Sequence, residues 1–435
     1  MMSDSSFDSS SSSEDEMDPS ENVNTAEDNV NRRVGHIGVA YEGGALVWAG
    51  YAEVPPFLEG HEYWPPGDVW HFSFYHNVWR KLTTKGDTPN RCSGAGGCIL
   101  EDTLFIVAGF HQVFRTYNRD SSESSDDDDQ PPRYPRIEIS NRIWSLNLRS
   151  LVWKKLTPGG IPPLACDKTS LWPYQDKVFL FGGFGTPHTQ QSHGAVSRKF
   201  QFVEDEPFPG ISRRGWSNQL VYYNSEKNRW VWPNFSGTPP SPRAAHSAAI
   251  ISDKVYIFGG RHSENRLNDL HCLDLVSMTW TSLLLPSDSP PVGRSWQSLT
   301  PIYTGKPPGG LLLYGGFDKN MTALSDCWRM DFANEELSWV RQKQFEDGAR
   351  LWHTAVPINQ STVIIVGGLT NNIQAPEYVT KHHAEKVLFL RVAPPSLLSL
   401  SLEFISNHQT LFKQHFRELP FNLRSILEIR ASGGA

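Results

Sequence analysis

The stretch VYIFGG (255–260) drives a short apolar segment into glycine, and five others repeat it: ALVWAG (45–50), LFIVAG (104–109), VFLFGG (178–183), LLLYGG (311–316) and VIIVGG (363–368). Each run is too short for a helix, rich in β-branched and aromatic residues, and free of strict alternation. That is the pattern of a strand covered on both faces. The closing glycines at 50, 109, 183, 260, 316 and 368 lie 52 to 77 residues apart, at or above the ~50-residue period of a propeller blade. In a propeller, the neighbouring blades supply the cover. Glycine suits the end of such a strand because it accepts positive φ and close backbone approach without a Cβ penalty. The expectation is an all-β, six-bladed β-propeller.

Working outward, each of the first five runs is followed by an aromatic strand and then a tryptophan: Trp79, Trp153, Trp230, Trp280 and Trp339. A large ring at the outer end of each sheet reads as an inter-blade wedge. Upstream stand VGHIGVAY (34–41), SPRAAHSAA (241–249), VGRSWQSL (292–299) and ARLWHTAV (349–356), which read as innermost strands. Their Arg243, Arg294 and Arg350, and likewise His36, His246 and His353, recur at repeat positions, where packing explains them. The sixth unit has KVLFLRV (386–392) but no terminal tryptophan, so the stretch before Val34 is the expected source of a closing strand. These ordered features resemble kelch repeats over about residues 34–390.

Composition narrows the class. None of the 435 residues falls in a run near the ~20 apolar residues needed to span a bilayer. The serine-rich, acidic start MMSDSSFDSSSSSEDEMD is unlike a signal peptide. Five scattered cysteines (Cys92, Cys98, Cys166, Cys272, Cys327) without a CxxC pair argue against a disulfide framework or structural zinc. No metal or cofactor site is expected, since His188 and His193 form only a loose pair. A nuclear and cytoplasmic location is the expectation. Residues 1–33 carry a net −7 and residues 120–129 a net −6, leaving about +6 on the rest of a chain whose total is −7. Both acidic stretches read as disordered. No basic run with interleaved aromatics points to nucleic acid.

Strand order places the loop after each glycine, and the loop entering each blade, on one face. The expansions 110–141 and 184–215 decorate that same rim, where binding normally resides. There GRHSENRLNDL (260–270) puts Arg261 and Arg266 in one loop, and PVGRSWQS (291–298) brings Ser295 and Trp296 alongside. Two guanidiniums and a hydroxyl at an axial mouth make an anion trap suited to a planar carboxylate. The local sequence equally allows both arginines to brace the loop through Glu264, Asp269 or backbone carbonyls.

RGWSNQ (214–219), SPRAAHS, FGGRHSENRLNDLH (258–271), PVGRSWQSLTP (291–301) and ARLWHTA together resemble the kelch domain-containing protein 2 family, substrate receptors of cullin-2 RING ubiquitin ligases that capture proteins ending in diglycine. The resemblance implies a carboxylate clamp of Arg261, Arg266 and Ser295, with pocket walls at Lys168, Phe184, Trp216 and Trp296. Phe184 stands where the family has tyrosine, so one hydroxyl is lost. A diglycine end descends a narrow pocket where a Cβ would clash.

Residues 394–430 change character. PPSLLSLSLEFISNHQTLFKQHF (394–416) and RELPFNLRSILEI (417–429) read as two amphipathic helices, one with a stripe of Leu397, Leu400, Phe404 and Ile405, the other with Leu423, Ile426 and Leu427. The first is similar to an elongin-binding box through Ser396, Leu397, Leu400, Ser401 and Ile405. The second is similar to a cullin-2 box through Leu419, Pro420, Leu423 and Leu427, with Asn422 where cullin-5 boxes usually carry proline. The plainer reading is a helical hairpin docked on its own propeller. The expected organisation is a tail over 1–33, a propeller over 34–392 with an acidic insertion at about 115–140, a helical box over 393–430 and a glycine-rich tail over 431–435. Implied partners are elongin B, elongin C, cullin-2 with its RING protein, and substrates ending in Gly-Gly, which are marked for degradation. The chain's own Ser432-Gly433-Gly434-Ala435 suggests self-association by mimicry of such an end. The expected role is a non-catalytic adaptor; the rival is a kelch scaffold binding actin or a transcription factor.

Overall fold

The computed structural model describes residues 30–53, 61–113, 136–187, 199–205, 213–284, 290–303, 309–333, 337–343, 348–376 and 378–431. The acidic tail over 1–29, most of the acidic insertion, His188, His193 and residues 432–435 lie outside them. Consecutive segments build six antiparallel sheets, the blades of a β-propeller. Blade 1 runs through Ile37–Tyr41, Gly44–Trp48, Val69–Ser73 and Val78–Leu82. Blade 4 repeats it with Ser247–Ile251, Lys254–His262, Asn265–Asp274 and Thr279–Leu283. The six apolar runs are the second strands. Gly44–Trp48 and Gly310–Asp318 are buried at every residue, because a blade packs on each face.

The core is divided among the blade interfaces. Phe258 and Leu270 of blade 4 meet Leu311, Leu313 and Trp328 of blade 5, and Val356, Ile364 and Val366 of blade 6 meet Ala45, Val47 and Phe72 of blade 1. Outer-strand tryptophans reach back to the second strand of the preceding blade. Trp153 lies 5.4 Å from Trp48, Trp280 lies 5.3 Å from Phe181, and Trp339 lies 5.6 Å from Phe258, between ring centroids. Such pairs contribute roughly 0.5–1.5 kcal/mol each beyond the area they bury. All five cysteines are free and buried within these layers.

The glycine that ends a second strand has a specific neighbour. Gly260 has φ 99°, and a Cβ there would stand 2.8 Å from the His246 Cβ and 2.9 Å from the Ala244 carbonyl oxygen. Backbone of the innermost strand therefore passes where any side chain would sit.

Blade 6 has three strands among the described residues, Thr354–Pro357, Thr362–Val366 and Leu388–Arg391. Among the described residues before Val34, 30–33 add no fourth strand, and the rest of that stretch lies outside the described residues. Residues 30–33 form a wedge instead: Val30 is fully buried between blades 6 and 1, the Asn31 amide donates to the Glu385 carbonyl at 2.9 Å, and the Gly368 N–H donates to the Arg33 carbonyl at 2.8 Å. In this polar segment the apolar residues Val30 and Val34 lie four apart, one helical turn, so no two-residue period exists to seat a strand.

The C-terminal helices are α1 (Leu397–Asn407), the single turn α2 (Gln409–Phe412), a 3-10 segment Lys413–Glu418, and α3 (Phe421–Ala431). The first expected helix is thus broken at His408. The helices hold a small core of Leu402, Phe416 and Leu427, with Ile405, Phe412, Leu419 and Ile426 against it. They dock on blade 1 and blade 6 through polar contacts. Arg430 donates to the carbonyls of Phe74 and Tyr75 at 3.1 and 2.5 Å, and Arg391 pairs with Glu403 at 2.6 Å. The turn carrying Phe74 and Tyr75 follows the third strand of blade 1, so it lies on the face opposite the loops that follow each glycine.

Candidate functional site

Two residues before each innermost strand begins, the backbone adopts positive φ: Gly35 (63°), Gly94 (64°), Lys168 (55°), Ala245 (53°), Trp296 (56°) and Trp352 (54°). These six close a ring. Gly94 donates its N–H to Gly35, Lys168 to Gly94, Ala245 to Lys168, Trp296 to Ala245, Trp352 to Trp296 and Gly35 to Trp352, at 2.7–3.2 Å. Left-handed backbone is costly for bulky side chains and persists where surrounding structure over-determines it. Here the closed ring does so, and three of its positions carry the large side chains Lys168, Trp296 and Trp352.

Below the ring, the repeat arginines are spent on structure, although both ring nitrogens of His246 are buried without a partner among the described residues. Arg243 bonds the Gly259 carbonyl at 3.0 Å and both oxygens of Asp269 at 2.7 and 2.8 Å. Arg294 bonds the Gly315 carbonyl at 2.9 Å and both oxygens of Asp326 at 2.6 and 2.8 Å. Arg350 bonds the carbonyls of Ala349 and Lys386. His36 pairs with Thr354 at 2.8 Å and His353 with Ser298 at 2.9 Å, each crossing to the preceding blade. Burial, and then the adjacent arginines, push His36, His246 and His353 down to about 3, so they are neutral in the folded protein. Among the described residues, no three His, Cys, Asp or Glu side chains are grouped to hold a metal ion.

Above the ring the polar groups are not used up. Arg261 and Arg266 face each other across the hairpin of blade 4. Arg261 donates to the Ser263 carbonyl at 2.7 Å and lies 3.4 Å from the exposed Glu264. Asp269, the other suggested brace, is taken by Arg243. The Arg266 guanidinium lies 5.6 Å from both the Trp296 and Phe317 rings, has no carboxylate partner among the described residues, and leaves its Nε buried and unpartnered. Burial, and then the charge of Arg261, bring its pKa down to about 10. The Ser295 hydroxyl and the Trp296 indole N–H are also buried without partners. Three donors at the same mouth lack acceptors, and a buried donor left unpaired costs about 1–3 kcal/mol.

Aromatic contacts join the remaining residues. Cys166–Asp167 pairs with Phe184–Gly185, which pairs with Gly215–Ser217, so Lys168, Phe184 and Trp216 are brought together. Phe184 and Trp216 lie 5.1 Å apart, Trp216 stacks on His262 at 5.9 Å, and Trp296 stacks on Trp352 at 5.4 Å. The Lys168 ammonium pairs with Asp167 and lies 5.5 Å over Trp352. Sequence reasoning did not single out Trp352 as a wall residue. Its signal was available, because ARLWHTA holds it in the register that VGRSWQSL gives Trp296.

On the opposite face the helical segment divides its apolar residues. Ser396 caps α1 by accepting the Ser399 N–H at 3.1 Å. Leu397 is 79% exposed, and Leu400, Phe404, Leu411 and Phe421 are exposed as well, along with Ser401 and Pro420. Ile405 was expected on the stripe of Leu397 and Leu400, but it turns toward Leu402 and the small core. Leu419 and Leu427 join that core and Leu423 is partly buried.

A family model described as the KLHDC2/KLHL20/DRC7 Kelch-repeats domain matches residues 207–370. The chain is similar to kelch domain-containing protein 2 of Bos taurus, 31% identical over 396 residues that cover 90% of this chain and 88% of the relative. It belongs to the kelch domain-containing protein 2 family. Kelch domain-containing protein 1 of Homo sapiens is 29% identical over 395 residues, covering 89% and 87%. Leucine-zipper-like transcriptional regulator 1 of Pongo abelii is 23% identical over 71% of this chain and 32% of its own length.

Proposed function

We propose that this chain is the substrate-recognition subunit of a cullin-2–elongin B/C RING ubiquitin ligase, seizing proteins by a C-terminal Gly-Gly in the propeller mouth and delivering them for degradation. The observation that carries this reading is the set of buried, unpartnered donors on Arg266, Ser295 and Trp296. A terminal carboxylate offers the acceptors they lack, and Arg261 adds a second positive charge. Glycines let that carboxylate reach depth between Trp216, Trp296, Trp352 and Phe184, while Lys168 lines the floor. The absence of a hydroxyl on Phe184 leaves that wall apolar.

Exposed Leu397, Leu400 and Phe404 on α1 provide an apolar helix face for elongin, and Pro420 with Leu423 forms the cullin-facing element, held in place from the small core by Leu419 and Leu427. Mouth and helices lie on opposite faces, so a bound ligase core leaves the mouth open. The role demands no chemistry of the chain's own. Titration of a peptide ending in Gly-Gly against its amidated twin tests the reading: tight binding of the acid and at least a hundredfold loss for the amide are expected, and equal affinities would overturn it. Co-purification with elongins, lost in Leu397→Asp/Leu400→Asp, separates a ligase subunit from a scaffold for actin or a transcription factor.

A further inference from the structure

The segment after the second strand of blade 6 crosses the mouth instead of skirting it. Leu369 bridges both Leu351 and His383 at its base, and the His383 Nε2 accepts the Glu53 N–H of blade 1 at 2.9 Å. At its far reach Ile373 joins the apolar cluster of Phe317, Leu351 and Leu369 against which Trp296 and Trp352 also pack. Beside it the Gln374 Oε1 accepts from the Arg266 Nη2 at 3.4 Å. The strap is tied to itself: Asn371 accepts the His382 N–H at 2.8 Å and donates to the Thr380 carbonyl at 2.8 Å, and Asn372 accepts the Gln374 N–H at 2.8 Å. The Lys381 ammonium donates to the Ala375 carbonyl at 2.5 Å. Strap structure, not the long contact with Arg266, therefore holds residue 374 at the mouth.

We infer that Gln374 is a built-in competitor for the carboxylate site, a neutral amide oxygen that occupies Arg266 until a chain-terminal carboxylate displaces it. The inference rests on the proposed reading of the mouth. A carboxylate forms charge-assisted bonds to guanidinium roughly twice as strong as a neutral amide's, so it wins the exchange. A neutral chain end or a passing side-chain amide only trades one neutral contact for another, and gains nothing at Arg266. Gln374 thereby sets a threshold that weak ends do not cross. Because its side chain is exposed, releasing it strands no buried group.

Calorimetric titration of wild type, Gln374→Ala, Gln374→Leu and Gln374→Glu with a Gly-Gly acid peptide and its amide tests this. Removing the competitor raises affinity for both peptides about three- to tenfold in the Ala and Leu variants, as loss of one modest hydrogen bond requires. Gln374→Glu installs a charged competitor and lowers acid-peptide affinity at least tenfold. Unchanged or weaker acid binding in both Ala and Leu variants, with wild type still preferring acid over amide, overturns the inference alone. A wild type that does not distinguish acid from amide overturns the reading beneath it. Melting temperatures matching wild type exclude a folding defect at this exposed position.

Discussion

Beneath the ring, Arg243 and Arg294 are buried and paired with aspartates, whereas above it Arg266 is partly buried and, among the described residues, bonded to no carboxylate. The two lower arginines meet their aspartates through paired bonds and finish on the Gly259 and Gly315 carbonyls in the second strand of the same blade. Arg266 meets two aromatic faces and one distant amide oxygen. One residue type therefore serves two ends. A guanidinium with a complete set of acceptors is part of the fold, and one without is held ready for an acceptor from outside.

The strongest way to break this comparison is Arg294→Ala. It strips the partly buried Asp326 of its charge partner and leaves it the Trp328 indole N–H at 2.6 Å, and a loss of up to about 3–5 kcal/mol is expected, read as a large fall in melting temperature. Arg266→Ala under the same measurement leaves the melting temperature near that of wild type, because no partner is stranded. A comparable fall in both would erase the distinction. In binding the order reverses: Arg266→Glu, alone or with Arg261→Glu, abolishes capture of a Gly-Gly acid peptide, an effect of at least a hundredfold or about 2.7 kcal/mol. Uptake untouched by those reversals would remove the mouth from the argument.

Acid sharpens the contrast at the lower arginines. Burial pushes the Asp326 carboxyl up, but hydrogen bonds from Arg294 outweigh it and hold Asp326 below the usual carboxylate range. A depressed carboxylate contributes stability that is present above its unfolded pKa and lost as pH falls through the folded one. Above about pH 5, Asp326 therefore adds no slope. Between pH 6.5 and 5 the histidines supply one: His36, His246 and His353 sit near 3 when folded, so their contribution is complete above pH 6.5 and declines as the medium acidifies. His353→Gln imitates Gln297, which blade 5 carries at the same position. It should remove about one proton of slope, or roughly 1.4 kcal/mol per pH unit, in denaturation followed from pH 6.5 to 5. An unchanged slope would mean that His353 does not stay neutral. Capture of the acid peptide stays flat between pH 6 and 8, since Arg266 titrates only near 10.

The strands were legible because each depends on a local pattern. VYIFGG and its five counterparts state their own burial, and the outer tryptophans follow at regular places. The clamp was half legible: Arg261 and Arg266 are five residues apart on one hairpin, so their meeting is local. Trp352 required the repeat register to be read through to the sixth entry loop. The wedge at blade 6 was not legible, because a single buried Val30 carries no periodicity. Ile405 was assigned to the exposed stripe because the break at His408, which folds Phe416 and Leu427 back against α1, is invisible to a helical wheel.

The amino-acid order by itself determined the six blades, their strand sequence and the face on which the loops gather, since period, length and glycine placement are properties of neighbouring residues. Only the tertiary structure decided which arginine goes unanswered. Asp269 reaches Arg243 rather than Arg266, and Gln374 arrives from a blade two positions around the ring, where no local pattern ties the two residues together. Charge compensation is a contact between residues far apart in the chain, and the folded ring alone determines which of them meet.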